Sequence, residues 1–421
     1  MIKTKFIHVL GTSALVSALA MSASAADPQV EVMHFWTSGG EAKALNVIKT
    51  ALDSQGVDWK DAPIAGGGGD NAKTVMRARI AAGNPPTAML MLGQEIIDWA
   101  NEGMLTDVNT AANQGNWDKV LPNSVQTFTK VNGNYVSVPT NIHRVNMVWA
   151  NSTAFKKIGA DVPKTWVEFN QLAPKFQAAG IIPLAHGGQA WQDMTLFDSV
   201  VLGIGGPNFY RQVFVEQNIQ AINSQTMEKV FDQMRLLSGM LDPNYPGRDW
   251  NLATGMVIRG EAAMQIMGDW AKGEFTASGK VANQDFRCFP SPGTTQDFIF
   301  LVNSFSMFEQ GNRDLKSAQA AMASAIMDPE VQVQFNLAKG SIPARTDADM
   351  SAFDACSRST MADLKSSSAS DRSLPTFAFT HAASSDMVGA FTDVVTAHFN
   401  DPKMTSKSAI KQLAKAVKSV M

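Results

Sequence analysis

The chain has 421 residues, 45% of them hydrophobic and 17% charged, and its formal net charge is −3 at pH 7. This length is typical of about two domains and is long enough to bury a sizeable core. The weak negative charge argues against nucleic acid and against an anionic membrane surface as partners.

Residues 1–25 have the features of a cleaved signal peptide. Lys3 and Lys5 precede a mostly apolar run over 6–20, and residues 23–25 are Ala-Ser-Ala, a typical cleavage site. The run is too short to span a bilayer, and no later stretch reaches about 18 apolar residues. Without Lys3 and Lys5, 33 basic residues face 38 acidic ones, a net charge of −5. We expect a periplasmic protein without a lipid anchor, because no cysteine lies directly beside the cleavage site.

The mature chain begins with a predicted strand, loop and helix. Residues 30–36 alternate as in a strand, 37–40 are Thr-Ser-Gly-Gly, and apolar positions over 44–52 repeat at helical spacing. In open α/β sheets, ligands bind beyond the carboxyl ends of the strands. The indole of Trp36 and the carboxylate of Glu41 at such a place suit a sugar, which has apolar faces and a polar rim. A phosphate would not favour the carboxylate.

The same unit recurs along the chain. A glycine run over 66–69 precedes a helix, and 88–92 is a predicted buried strand followed by a turn at Gly93 and Gln94. The glycine run has neither the phosphate-loop spacing nor the dinucleotide fingerprint, so we interpret it as a tight turn. Trp117 is predicted to lie in a surface connection. The alternation indicates a parallel sheet with crossover helices.

A second lobe is predicted beyond an extended passage over 136–148, which contains no helical pattern. A capping box at Thr165 and Glu168 opens a helix, and strands are predicted at 181–185 and 262–267. Residues 298–302 are apolar and extended, which is compatible with a segment that carries the chain back to the first lobe. Residues 366–373 are serine-rich and predict a surface loop, and two amphipathic helices end the chain.

Catalytic and metal-binding patterns are missing from the sequence. The six histidines have no ligand spacing, which argues against a metal site. Residues 408–411 match S-x-x-K but lie in the predicted final helix without the companion motifs, and no other hydrolase or nucleophile motif is present. We therefore expect no cofactor and no enzymatic activity. Polar and aromatic residues instead recur just past predicted strand ends: Trp36, Glu41, Gln94, Gln189, Trp191, Asp269 and Trp270. A single tryptophan is more often core and a single Gln or Asp more often a cap, but the repetition favours a ligand site.

Five stretches carry a family resemblance. They are Phe35-Trp36-Thr37-Ser38-Gly39-Gly40-Glu41, Ala65-Gly66-Gly67-Gly68-Gly69-Asp70, Gly83-Asn84-Pro85-Pro86, Gly268-Asp269-Trp270 and Lys339-Gly340-Ser341-Ile342-Pro343-Ala344-Arg345. Together they resemble the sugar-binding proteins of ABC transporters, in particular the periplasmic glucose/mannose-type branch. The resemblance implies an α/β, two-lobed periplasmic-binding-protein-like fold of type II, with hinge strands near 141, 299–302 and 342–344. It places the N-terminal lobe at 26–141 and 299–343 and the C-terminal lobe at 142–298 and 344–421.

The resemblance also implies a sugar site between the lobes. By position, Trp36 and Trp270 stack on the sugar from opposite lobes, and Glu41, Lys339 and His381 bind its hydroxyls. Weaker assignments, which rest on places at strand ends and crossings, are Gln94, Asn141, His143, Gln189, Asp269 and Asn303.

Three residues depart from the glucose branch. Phe35 replaces the first tryptophan of a common pair, Leu92 replaces a polar or basic residue, and Asn303 replaces a frequent aspartate. Each change softens or removes a polar contact, which argues against glucose itself while leaving a sugar as the expected ligand.

The expected function is the substrate-binding subunit of an ABC-type sugar importer, which captures a monosaccharide or small sugar as a monomer and delivers it to the membrane permease subunits. The alternatives are an exported carbohydrate-active enzyme, with Glu41 and Asp269 as an acid–base pair, and a sugar sensor for a chemoreceptor. In an oxidising compartment Cys288 and Cys356 are expected to form a disulfide, with two free buried thiols as the alternative.

Overall fold

The computed structural model describes Met1 and residues 28–421. The predicted signal peptide and its cleavage site fall almost entirely outside the described residues. The strands in chain order are β1 (Gln29–His34), β2 (Asp58–Pro63), β3 (Ala88–Leu92), β4 (Lys130–Val131), β5 (Asn134–Tyr135), β6 (Ser137–Arg144), β7 (Met147–Asn151), β8 (Ile182–Leu184), β9 (Ala262–Ile266), β10 (Phe286–Pro290), β11 (Phe298–Met307), β12 (Ile342–Pro343) and β13 (Ser373–Pro375).

Eighteen α-helices are assigned within the described part of the chain, together with a 3₁₀ turn at Gly67–Gly69. The helices are α1 (Gly39–Asp53), α2 (Asp70–Ala81), α3 (Gln94–Asn101), α4 (Asn109–Gln114), α5 (Trp117–Val120), α6 (Asn123–Thr129), α7 (Ser152–Ile158), α8 (Trp166–Ala178), α9 (Ala190–Phe214), α10 (Ile219–Ile222), α11 (Gln225–Ser238), α12 (Trp250–Arg259), α13 (Ala271–Ala277), α14 (Arg313–Ile326), α15 (Pro329–Lys339), α16 (Ala355–Ala369), α17 (Ser385–Asn400) and α18 (Ser406–Val420). Within residues 28–421, no helix has the length and hydropathy that a bilayer crossing requires.

Two main sheets organise the molecule. The first has seven strands in the order β12-β6-β11-β3-β1-β2, with β13 also paired to β11, and the second has four in the order β10-β7-β9-β8. The predicted parallel pairing holds for β1 with β2 and β3 and for β8 with β9. However, β11 runs antiparallel to both β3 and β6, so the first sheet is mixed rather than parallel.

The chain passes from the first sheet to the second between β6 and β7 and returns between β10 and β11. Each sheet has its own hydrophobic core. One core contains side chains of β1, α1 and α14, and the other contains side chains of β7, β9, α9 and α17. The two sheets therefore form the centres of two lobes.

Local sequence signals account for several helix starts. The capping boxes of Ser38 with Glu41 and of Thr165 with Glu168 are both formed, at α1 and α8, and Asp328 caps α15 ahead of Pro329. Each cap supplies acceptors to backbone N–H groups that have no partner within the helix. The helix start predicted at Thr165 is confirmed.

Two local expectations were wrong. Trp117 is not on the surface but only 1% exposed, packed edge-on against Tyr135 at 5.1 Å between ring centroids. The first half of the serine-rich 366–373 segment is not a loop, because α16 continues to Ala369. Met361 and Leu364 anchor the inner face of this helix in the core. In both cases burial against distant parts of the chain overrides a local polar pattern.

The disulfide between Cys288 and Cys356 is confirmed. Their Cα atoms are 6.1 Å apart, and the bond joins β10 to the first turn of α16. It therefore links the edge strand of the second sheet to a helix that packs beside β11 and β12 of the first.

Candidate functional site: a cavity between the lobes

A cavity of about 210 Å³ lies between the two lobes. It is lined from the first lobe by the loop after β1, the glycine turn, the ends of β3 and β6, the middle of β11 and the last residue of α15. From the second lobe it is lined by the loops before α9, α12 and α13. Seven of the predicted site residues line it: Trp36, Glu41, His143, Gln189, Trp270, Asn303 and Lys339.

A buried ion pair forms one side of the cavity. Glu41 accepts hydrogen bonds from the backbone N–H groups of Thr37 (3.0 Å) and Ser38 (3.1 Å) through Oε2, and its Oε1 lies 3.1 Å from Lys339 Nζ. The lysine side chain is 2% exposed. Because an ammonium has three donors, the contact with Glu41 leaves Lys339 able to donate to a ligand as well.

Trp36 is held mainly as a core residue. Its ring packs against Phe305 at 5.8 Å and Phe335 at 5.6 Å, and Lys339 Nζ lies 5.0 Å from its ring centroid. The side chain is only 3% exposed. These contacts bury most of the Trp36 ring. Both Trp36 and Trp270 line the cavity, and the stacking of the two indoles on a sugar stays a prediction.

An aromatic wall, which we define as Trp191, Trp270 and Phe379, closes another side of the cavity. The ring centroids of Trp270 lie 6.4 Å from Trp191 and 5.6 Å from Phe379, and those of Trp191 and Phe379 are 5.9 Å apart. Trp191 reaches across to Gly68 of the first lobe, where a Cβ atom would lie 2.8 Å from the indole. Glycine is therefore required for this contact between the lobes.

Buried polar side chains behind the wall orient those that face the cavity. His143 Nδ1 is hydrogen-bonded to Asp269, and its Nε2 accepts from Asn141 Nδ2 at 3.1 Å. Asn141 Oδ1 in turn accepts from Asn303 Nδ2 at 3.0 Å. Burial lowers the pKa of His143 despite the nearby carboxylate, which favours a neutral ring. Asn141 and Asp269 do not line the cavity; they hold His143 and Asn303, which do.

Gln189 connects two loops of the second lobe. Its side chain donates to Asp249 and accepts from Trp191 Nε1 at 2.6 Å. The predicted residue thus reaches the cavity and fixes its aromatic neighbour. Asp249 carries a negative charge into the lining together with Glu41.

Gln94 and His381 are not part of the cavity lining. The side chain of Gln94 donates to Asp98 at 3.0 Å on the surface of α3. Both ring nitrogens of His381 bond to the backbone: Nε2 accepts from the N–H of Val302, and Nδ1 donates to the carbonyl of Phe379. Burial lowers the pKa of His381 to about 4. The neutral ring has no free nitrogen for a sugar hydroxyl.

Sequence reasoning missed several lining residues. Phe379 follows the short strand β13, and Trp250 and Asn251 begin α12. Phe35, Leu92 and Asn303, the three departures from the glucose branch, all line the cavity. Residues 28–421 contain no cluster of three or more His, Cys, Asp or Glu side chains suited to a metal ion.

A cavity between two α/β lobes, lined by aromatic rings and hydrogen-bonding side chains, defines a two-lobed ligand-binding protein of the periplasmic-binding-protein type. The model of the bacterial extracellular solute-binding protein family matches residues 56–304. The chain belongs to this family.

Relatives match along almost the whole length. A protein of Brucella suis named as a probable sugar-binding periplasmic protein is 46% identical over 416 residues, covering 98% of both chains. One of Rhizobium meliloti with the same name is 45% identical over 415 residues, covering 99% of both. Both are named as binding proteins rather than enzymes.

A solved structure has the same fold. The bacterial solute receptor AcbH, described as having an exclusive preference for β-D-galactopyranose, aligns with a TM-score of 0.79 at 18% identity, covering 94% of this chain and 99% of its own. The expected two-lobed fold is confirmed.

Proposed function

We propose that this protein is the periplasmic substrate-binding subunit of an ABC-type sugar importer, which captures a sugar between its lobes and presents it to the membrane permease. The observation that carries the proposal is the cavity lining, where an aromatic wall stands beside hydrogen-bonding groups of Glu41, Lys339 and Asn303. Aromatic rings cover the C–H faces of a pyranose while buried polar groups satisfy its hydroxyls. The names of the relatives support a sugar as the ligand.

The size and charge of the cavity support a neutral monosaccharide. Its volume of about 210 Å³ is smaller than the roughly 300–1,000 Å³ typical of sites for drug-sized ligands. Among the described residues that line it, Lys339 is the one cation, and it is paired with Glu41. With Asp249 also in the lining, a carboxylate on the ligand would meet net negative charge. We therefore place neutral hexoses and pentoses ahead of sugar acids.

Capture in this proposal follows from hinge closure. In this proposal the lobes, 26–141 with 299–343 and 142–298 with 344–421, rotate about the crossings in β6, β11 and β12. Within 344–421, β13 and the inner face of α16 pack on the first sheet and would move with the first lobe. Contacts between the lobes support a closed form: Trp191 packs on Gly68, and Glu274 of α13 accepts from the N–H of Gly40 at 2.8 Å.

The enzymatic alternative is less well supported. Asp269 is hydrogen-bonded to His143 and to the backbone N–H of Arg144 and lies behind the lining, so it cannot flank a bound glycosidic bond together with Glu41. The remaining alternative, a sensor subunit for a chemoreceptor, uses the same cavity and shares the binding step.

A ligand screen tests the proposal. The mature protein is heated with a panel of monosaccharides, disaccharides, polyols and sugar acids, and each ligand that raises the melting temperature is titrated by calorimetry. We expect a neutral monosaccharide to bind at roughly micromolar affinity and to be recovered intact after incubation. The proposal fails if no sugar raises the melting temperature, and recovery of a cleaved or altered sugar would favour the enzyme.

A further inference from the structure

Residues 376–381, which we call the strap, carry one member of the aromatic wall. The strap begins where β13 leaves its pairing with β11 and ends shortly before α17. It contains Phe379, whose ring lines the cavity. The conformation of this short segment therefore decides where that ring lies.

A single carboxylate holds the first half of the strap. Asp198 Oδ2 accepts from the hydroxyl of Thr376 at 2.6 Å and from the backbone N–H groups of Phe377 at 3.2 Å and Ala378 at 3.3 Å. Asp198 is fully buried in α9. A buried carboxylate that collects three donors from consecutive residues fixes their backbone.

The second half of the strap is fixed to the first lobe. The carbonyl of Thr380 accepts from the N–H of Gln94 at 2.8 Å, and His381 is bonded to Val302 of β11. Thr380 has φ +58°, a left-handed conformation that is uncommon for threonine. A Cβ at Gly93 would lie 2.4 Å from the Thr380 carbonyl oxygen, so the strap fits only because position 93 is glycine.

Asp198 and Trp191 lie on one face of α9, since they are seven residues apart. The helix therefore fixes Trp191 directly and Phe379 through the carboxylate and the strap. The 5.9 Å separation of these two rings is set by both connections.

We propose that Asp198 is a positioning residue for the sugar site: by anchoring the strap it sets Phe379 against Trp191 and Trp270, and so determines sugar affinity from outside the cavity. This inference rests on the proposed function. It also gives Gln94 a role near the site: its backbone N–H holds the strap through the carbonyl of Thr380, while its side chain bonds to Asp98 on the surface.

A double-mutant cycle tests the connection between Asp198 and Phe379. Asp198→Ala, Phe379→Ala and the double variant are titrated with the sugar that binds the parent protein. We expect each single change to weaken binding at least about tenfold, and the double variant to bind no more weakly than the weaker single variant. Losses that multiply in the double variant, or parental affinity in Asp198→Ala, would overturn the proposal.

Further variants separate positioning from general stability. Asp198→Asn keeps an acceptor oxygen for the three donors and should recover most of the affinity. Gln233→Ala removes a buried polar side chain that bonds to Asn170 between α8 and α11 and should leave affinity within about twofold. If Asp198→Ala does not fold, Thr376→Val takes its place in the same cycle, with Thr376→Ser as the variant that keeps the hydroxyl.

A readout without ligand distinguishes this inference from the proposed function. If the parent protein binds no sugar, the proposed function fails. The near-ultraviolet circular dichroism of the tryptophans then tests, without a ligand, whether Asp198 positions the aromatic wall. We expect Asp198→Ala to change that spectrum, Gln233→Ala to leave it unchanged, and Asp198→Ala to add nothing in the Phe379→Ala background. An unchanged spectrum in Asp198→Ala would refute the positioning role.

Discussion

Replacing Trp270 by alanine removes the centre of the aromatic wall. Its ring lies within 6.4 Å of Trp191, 5.6 Å of Phe379 and 5.2 Å of His143, and the side chain is 7% exposed. Truncating a well-buried aromatic anchor of a binding site typically costs about 2 kcal/mol or more, which is about thirtyfold in affinity. We expect Trp270→Ala to weaken sugar binding by at least this factor.

The same substitution leaves space in a packed cluster, so stability must be measured beside affinity. A buried Trp→Ala change costs about 3–5 kcal/mol of folding free energy when the surroundings do not collapse. Trp36→Ala should lose more folding free energy than Trp270→Ala, because Trp36 packs on Phe305 and Phe335 in the first core. We therefore expect Trp36→Ala to lower the melting temperature strongly as well as to reduce affinity.

Titration calorimetry measures the loss of sugar affinity in each variant, and thermal unfolding measures the loss of stability. Trp99→Ala is the control, since Trp99 is half-buried beside a separate small cluster and does not line the cavity. Trp117, which is buried in the first core, cannot serve as one. If folded Trp270→Ala binds sugar like the parent protein, the aromatic wall is not the binding surface.

Three further outcomes are expected. Thiol titration of the denatured, unreduced protein should detect no free thiol, and replacing Cys288 and Cys356 by serine should cost about 2–4 kcal/mol of stability; two free thiols would contradict the disulfide. Saturating sugar should reduce the radius of gyration in small-angle scattering without changing the circular dichroism of the backbone, and an unchanged radius would count against hinge closure. Burial lowers the pKa of His398 from 6.5 to about 4, so the folded protein binds fewer protons than the unfolded chain between these values and stability falls as the pH drops from about 6.5 to about 4. His398→Phe, which keeps a ring beside Phe231, should flatten that fall by up to about 1.4 kcal/mol per pH unit in denaturant unfolding at pH 7, 6 and 5, and an unchanged slope would refute this.

Features that depend on a few neighbouring residues followed from the sequence alone. The strand before Trp36, the helix that follows the loop over 37–40, the helix start at Thr165 and the strand over 88–92 are each encoded within about ten residues. The repeated placement of polar residues after strands, with the family resemblance, predicted residues of the cavity between the lobes. Seven of the eleven predicted site residues line it.

Only the tertiary structure decided which of these residues face the cavity and which stand behind it. His143 and Asp269 are 126 residues apart in sequence, and Asn141 and Asn303 are 162 residues apart. No local sequence pattern therefore shows that the members of either pair are hydrogen-bonded. Long-range packing also turned Trp117 inward. The strap could not be predicted, because its conformation depends on Asp198, 178 residues before Thr376. The sequence specified residues near the site, whereas contacts between distant segments determined the direction in which each side chain points, since burial and hydrogen-bond satisfaction are properties of the folded whole.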